Sequence, residues 1–130
     1  MCIFCDIIAG KIPSKKVYED DDVLAILDIS QTTKGHTLVI PKKHYDNFLQ
    51  MPQNEFEHLM GKVQLISNKI VNNLNAGGSN TLINTNEVSG QTVMHTHVHI
   101  IPRYDLSDSI DIKFKENSFD LDNILKQINR

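Results

Sequence analysis

The 130-residue chain is 40% hydrophobic and 22% charged with a net charge of −3, the profile of one folded domain with its own core. That balance excludes a disordered chain and a broad nucleic-acid surface, which needs a basic face. No apolar run approaches the ~20 residues of a membrane span, and Met1-Cys2-Ile3-Phe4-Cys5-Asp6 lacks the basic-then-apolar layout of a secretory signal, so a cytoplasmic protein without membrane or nucleic-acid partners is expected.

In chain order, residues 5–8 suit a short helical turn closed by Gly10. Residues 16–19 read as a strand, and Glu19-Asp20-Asp21-Asp22 as the turn after it. Residues 23–27, ending at Asp28, and residues 36–40, closed by Pro41, are short and partly β-branched, as buried strands are. Residues 53–76 differ: Phe56, Leu59, Met60, Val63, Ile66, Ile70 and Leu74 recur in steps of three and four, the stripe of an amphipathic helix. Pro52 suits its first turn and Gly77-Gly78 its stop. Residues 80–86 and 97–101 read as two more strands, and 119–128 as a closing helix with Leu121, Ile124, Leu125 and Ile128 on one side. The pattern predicts a single α+β domain over 1–130, with its core in 2–104 and a C-terminal segment 105–130. Its antiparallel sheet has about five strands, with one long helix and short terminal helices.

Three of the six histidines lie in His95-Thr96-His97-Val98-His99-Ile100-Ile101-Pro102. The β-branched residues and Pro102 favour a strand, on which alternate rings share one face. Three imidazoles in a row are costly to bury, because each ring needs partners for its nitrogens. The row is either a metal site outright, or a nucleophilic imidazole flanked by rings that orient it and donate to developing charge. His97, the central ring, can be supported from both sides. Upstream, Gly90 permits tight curvature, and the loop amides with the Thr92 hydroxyl can nest an anion.

These residues resemble the histidine-triad (HIT) family, marked by His-x-His-x-His and two apolar residues. The likeness extends to Ile3-Phe4, Ile7-Ile8, Lys11-Ile12-Pro13, Val17-Tyr18-Glu19-Asp20 and Leu27-Asp28-Ile29-Ser30. It continues through Gly35-His36-Thr37-Leu38-Val39-Ile40-Pro41-Lys42-Lys43-His44 and Gly90-Gln91-Thr92-Val93, in the manner of the small nucleotide-hydrolysing branch. Thr96 stands where the family carries a larger apolar residue.

The resemblance implies attack of His97 on the α-phosphorus of a purine nucleotide, giving a nucleotidyl-histidine that water cleaves, with His99 and His95 as its catalytic neighbours. It implies phosphate contacts from Thr92, from the Gly90, Gln91 and Val93 backbone and from Asn84. Asp28, with Ile29 beside it, would take the ribose, and Ile3, Phe4, Ile7 and Ile26 would form the base slot. It also implies a homodimer with the long helix and a sheet edge in the interface. A non-catalytic nucleotide- or metal-binding module using the same histidines is the alternative.

Cys2-Ile3-Phe4-Cys5 alone is ambiguous between a redox pair, half a zinc site and coincidence. Some bacterial-type HIT proteins join such a pair to a distant histidine and the first triad histidine. By that resemblance Cys2, Cys5, His44 and His95 form a structural zinc site. His58 reads as a surface residue, and His36 as a satisfied core histidine or a support for the triad.

Overall fold

The computed structural model describes residues 2–130, so Met1, at the edge of the expected domain, lies outside the described residues. Five strands form one antiparallel sheet: β1 (Lys16–Glu19), β2 (Val23–Leu27), β3 (Thr37–Pro41), β4 (Gly78–Ile83) and β5 (Val98–Arg103), in the spatial order β1-β2-β3-β5-β4. Helix α1 (Ile3–Ile8) precedes the sheet, α2 (Gln53–Asn73) crosses between β3 and β4, and α3 (Leu121–Ile128) closes the described chain. The expected α+β architecture is therefore present. No helix among the described residues is long and apolar enough to cross a membrane.

Strand alternation divides the core into two layers. Val23 and Ala25 of β2, Val39 of β3, and Val98 and Ile100 of β5 pack with Leu59, Val63, Ile66 and Ile70 of α2. Their alternates Leu24, Ile26, Leu38 and Ile40 pack with Phe4 and Ile7 of α1 on the other face. The sheet is thus covered by α2 on one face and by α1 on the other. On β5 the same parity sends Val98 and Ile100 into the α2 layer and leaves His97 and His99 on the α1 side.

Several boundaries differ from expectation for local reasons. Helix α1 begins at Ile3, not residue 5, because the Cys2 sulfur caps it by accepting from the Cys5 N–H at 3.4 Å. Helix α2 stops at Asn73 ahead of the glycine pair. Asn75 takes the left-handed conformation (φ 55°) that a helix stop requires, which asparagine tolerates better than most residues. Strand β4 runs from Gly78 to Ile83, paired against Arg103 to Val98, and the chain then leaves the sheet before Asn86 turns at φ 68°. Strand β5 starts at Val98, one residue later than expected. His95 and His97 lie in the approach to it, where the Thr96 N–H donates to the Tyr45 carbonyl at 2.8 Å.

Candidate functional site

The three rings keep their alternation although only His99 lies within β5. The His97 and His99 ring centroids are 5.0 Å apart. Phe4 of α1 sets its ring edge-on to His97 at 5.0 Å and to His95 at 5.9 Å. His95 and His97 are buried, and His99 is half-buried. Burial holds all three below the ordinary imidazole range. His99 is pushed down to about 4 by burial first, then by His97 and His36. The rings are therefore neutral at pH 7, with one nitrogen of each carrying the proton.

Hydrogen bonds fix which nitrogen that is. His97 Nδ1–H donates to the His95 carbonyl at 2.8 Å, so Nε2 is the nitrogen with a free lone pair. A second chain sets His99. The Thr32 N–H donates to His36 Nδ1 at 3.3 Å, which leaves the proton of His36 on Nε2. That Nε2–H donates to His99 Nδ1 at 2.9 Å, so His99 carries its own proton on Nε2. Asp28 Oδ2 lies 3.7 Å from His36 Nε2, and Asp28 Oδ1 accepts from the Ser30 N–H at 2.8 Å. One ring thus presents a lone pair and its neighbour a proton, side by side.

His95 commits the opposite nitrogen. Its Nε2–H donates to the Pro41 carbonyl at 2.8 Å, and its Nδ1 faces Cys2 Sγ at 3.4 Å and Cys5 Sγ at 3.6 Å. His44 repeats the arrangement, with Nε2–H donating to Asp46 Oδ1 at 2.8 Å and Nδ1 placed 3.4 Å from Cys5 Sγ. The two Nδ1 atoms stand 3.1 Å apart. Two lone pairs face each other there, an arrangement that a cation relieves. The four donor atoms all lie within 4.8 Å of one another. A tetrahedral ion with bonds of ~2.0–2.3 Å spaces its ligands by roughly 3.3–3.8 Å, close to these separations. Outward bonds from the far nitrogens to Pro41 and Asp46 are the kind that orient metal-binding imidazoles. The donor set fits a metal.

The loop before the triad is shaped by Gly90, whose φ of 107° a side-chain-bearing residue adopts only with strain. Of the four expected amide donors, those of Gly90 and Gln91 are committed to Glu87 and Asn86 within the loop. Among the described residues the Thr92 and Val93 N–H groups have no acceptor. The buried Gln91 side chain braces the loop, accepting from the Asn86 N–H at 2.7 Å and donating to the carbonyls of Asp46 and Val93. Asn84 Nδ2 donates to the Gly90 carbonyl at 3.4 Å. A cleft of about 560 Å³ opens here between Cys2, Ile3, His44, Asp46, Thr92, Val93 and Met94. A second cleft, of about 570 Å³, lies between the β2 and β3 ends and α2. It contains His58 and no triad histidine.

The remaining expected residues divide. Phe4, Ile7 and Ile26 come together, buried against Leu38 and Val93. Ile3 is half exposed and Ile29 wholly so, and neither joins that cluster in the free chain. Thr96 is buried, with its hydroxyl donating to the Tyr45 carbonyl at 3.0 Å, a bond that a larger apolar residue could not make. Sequence reasoning missed Asp46, for which the only signal was its position two residues after His44, and Thr32, which acts through its backbone.

Comparison with known proteins accords with this geometry. The family model described as the HIT domain matches residues 9–106. An uncharacterized HIT-like protein of Methanocaldococcus jannaschii is 49% identical over 129 residues, covering 98% of each chain. An adenylylsulfatase of Arabidopsis thaliana is 45% identical over 102 residues, 78% of this chain and 52% of that longer protein. The crystal structure of a HIT-family member from Bacillus subtilis superposes with a TM-score of 0.92 at 47% identity, covering 98% of this chain and 94% of that one. With the family model spanning most of its length and relatives this similar end to end, the chain belongs to the HIT family.

Proposed function

We propose that the protein is a nucleotide hydrolase or nucleotidyl transferase that cleaves at the α-phosphate of nucleoside phosphoramidates or dinucleoside polyphosphates through a covalent intermediate on His97. The observation that carries this reading is the free Nε2 of His97, left by the donation of Nδ1–H to the His95 carbonyl and set beside His99. The relatives support a nucleotide substrate, since one is named as an adenylylsulfatase.

In the first step the Nε2 lone pair of His97 forms a bond to the α-phosphorus. The bond from phosphorus to the leaving amine or phosphate breaks, and its electron pair departs with that group, which takes up a proton. That proton comes from solvent, while the Nε2–H of neutral His99 donates a hydrogen bond to a non-bridging oxygen as its charge builds. The Thr92 hydroxyl and the Thr92 and Val93 amides stabilise charge on the non-bridging oxygens, a contribution worth roughly 10²–10³ in rate per donor in comparable sites. Water then attacks phosphorus and loses a proton to solvent, the bond to His97 breaks with its electron pair returning to Nε2, and the nucleoside monophosphate leaves. Asp28 would accept from the ribose hydroxyls, and Phe4, Ile7 and Ile26 with Ile3 would bear the purine.

Cys2, Cys5, His44 and His95 would hold zinc, because paired sulfur and imidazole ligands in tetrahedral spacing suit that ion best. The ion, when bound, supplies a structural cross-link between the N-terminal helix, the segment after β3 and the approach to β5. The reduced cysteine pair suits a cytoplasmic setting. The chain would work as a homodimer through the β4 edge and α2.

A panel of adenosine and guanosine phosphoramidates and dinucleoside polyphosphates, compared by kcat/KM, tests the reading. Turnover that disappears in His97→Ala, together with a nucleotidyl adduct on the His97 peptide after rapid quenching, is the expected result. Nucleotide binding without turnover in the wild-type protein would leave a binding module instead.

A further inference from the structure

Cys2 and Cys5 are the chain's two cysteines, and both face the same nitrogen, His95 Nδ1, at 3.4 Å and 3.6 Å. Both are free thiols, half-buried rather than sealed. Cys2 stands at the N-cap of α1 in an extended conformation, and its sulfur turns back to accept from the Cys5 N–H at 3.4 Å. The two sulfurs therefore meet beside the first turn, within 4.8 Å of each other and of both imidazole ligand atoms. A pair this close is joined by side-chain rotation and a small backbone shift. Cys2 also opens onto the cleft of about 560 Å³, whose walls include Thr92 and Val93, the residues with free amides.

From this placement we propose that Cys2 and Cys5 form an oxidative modification site, joined to a disulfide by hydrogen peroxide with release of the metal, and that a nucleotide in the adjoining cleft shields it. The proposal rests on the zinc and nucleotide readings above. The Cys2 thiolate, the form that a bound metal maintains, attacks one oxygen of the peroxide. The O–O bond breaks, hydroxide departs, and Cys2 becomes a sulfenic acid. The Cys5 thiolate then attacks that sulfur, the S–O bond breaks, and a second hydroxide leaves. Each hydroxide takes a proton from solvent. The two sulfurs have together lost two electrons, and the peroxide has become two waters.

What remains at the site is two neutral imidazoles, those of His44 and His95. They offer half the donors of a closed tetrahedral site and none of the negative charge, so the metal is no longer held. No other thiol competes for the sulfenic acid within the chain, which has no third cysteine. Shielding follows from the shared walls. A phosphate seated on the Thr92 and Val93 amides fills the space through which Cys2 meets solvent.

The test uses the full chain, reduced and loaded with zinc. Hydrogen peroxide is added with and without saturating AMP, while a colorimetric chelator reads zinc release and mass spectrometry reads the peptide holding both cysteines. The expected results are a peptide lighter by two hydrogens, one zinc released per disulfide, and both thiols restored by dithiothreitol. AMP should slow release by roughly tenfold, since exchange and oxidation follow access to the sulfur. Cys5→His keeps a zinc-binding side chain without the second thiol, and should stop at a Cys2 sulfenic acid that dimedone traps. Zinc released with both thiols intact, a disulfide with zinc retained, or oxidation to sulfinic acid alone in the wild type would overturn the site. Equal release rates with and without AMP, in a protein that equilibrium dialysis shows to bind AMP, would overturn the shielding. A protein that binds no AMP would sink the nucleotide reading and the shielding, while disulfide formation and zinc release still decide the cysteine site. A reduced protein that takes up no zinc would overturn the zinc reading and this proposal together.

Discussion

His95 and His97 are the same residue type two positions apart, both buried and both edged by Phe4, yet they offer opposite ring nitrogens. The Pro41 carbonyl takes the Nε2 proton of His95 and turns Nδ1 toward two sulfurs and a second imidazole. The His95 carbonyl takes the Nδ1 proton of His97 and leaves Nε2 free. A single backbone acceptor, placed on one side of the ring or the other, separates the proposed ligand from the proposed nucleophile. Burial alone does not distinguish them, since it lowers the proton affinity of both.

The largest expected break in this comparison is His97→Ala. Loss of the attacking nitrogen removes the covalent path, and turnover should fall by ~10⁴-fold or more, read from kcat/KM on the best phosphoramidate. Metal content should be unchanged, because His97 is outside the ligand set. Cys2→Ser/Cys5→Ser should do the reverse. Bound zinc falls from about one equivalent to none by elemental analysis, and the melting temperature drops by roughly 5–10 °C, reflecting a lost folding contribution of a few kcal/mol. Asp46→Asn sharpens the contrast more gently. Weakening the outer partner of His44 should lower metal affinity by roughly 10–100-fold in a chelator competition, with little effect on kcat. Asp28→Asn removes a charge-assisted acceptor proposed for the ribose and should reduce kcat/KM by ~10-fold, mostly through KM.

The smallest effect is on stability against pH. His99 is held near 4 in the folded chain against an ordinary 6.5, so between those values the unfolded chain binds the extra proton and the folded one does not. The stability associated with neutral His99 is complete above about pH 6.5 and is lost as pH falls toward 4. His99→Asn should flatten that part of the thermal-stability profile.

Much of this was legible from residue order. The alternation of three histidines among β-branched residues placed their rings on one side, and the stripe from Phe56 to Leu74 marked α2. The Cys-x-x-Cys pair, His44 and His95 do meet, although they are 39 to 93 positions apart where they touch. What the sequence could not show were contacts made by backbone groups. Pro41, Tyr45, Thr32 and His95 act through a carbonyl or an amide, which residue type does not reveal. Gln91 was expected among the phosphate contacts through its backbone, and the role of its side chain in bracing the loop was not foreseen; a buried amide must satisfy its donors and acceptor. The helix stop fell on Asn75 rather than the glycine pair for a similar reason: conformation at one residue, not composition, ended it. The closing helix was expected over residues 119–128 with Leu121, Ile124, Leu125 and Ile128 on one side; α3 forms over Leu121–Ile128, with Leu121, Leu125 and Ile128 exposed.

Long-range ¹H–¹⁵N correlation of the histidine side chains at pH 7 tests the central claim most directly. The account predicts a proton on Nδ1 of His97 with Nε2 unprotonated, and the opposite tautomer at His99. A proton on Nε2 of His97, or an imidazolium there at that pH, would contradict it.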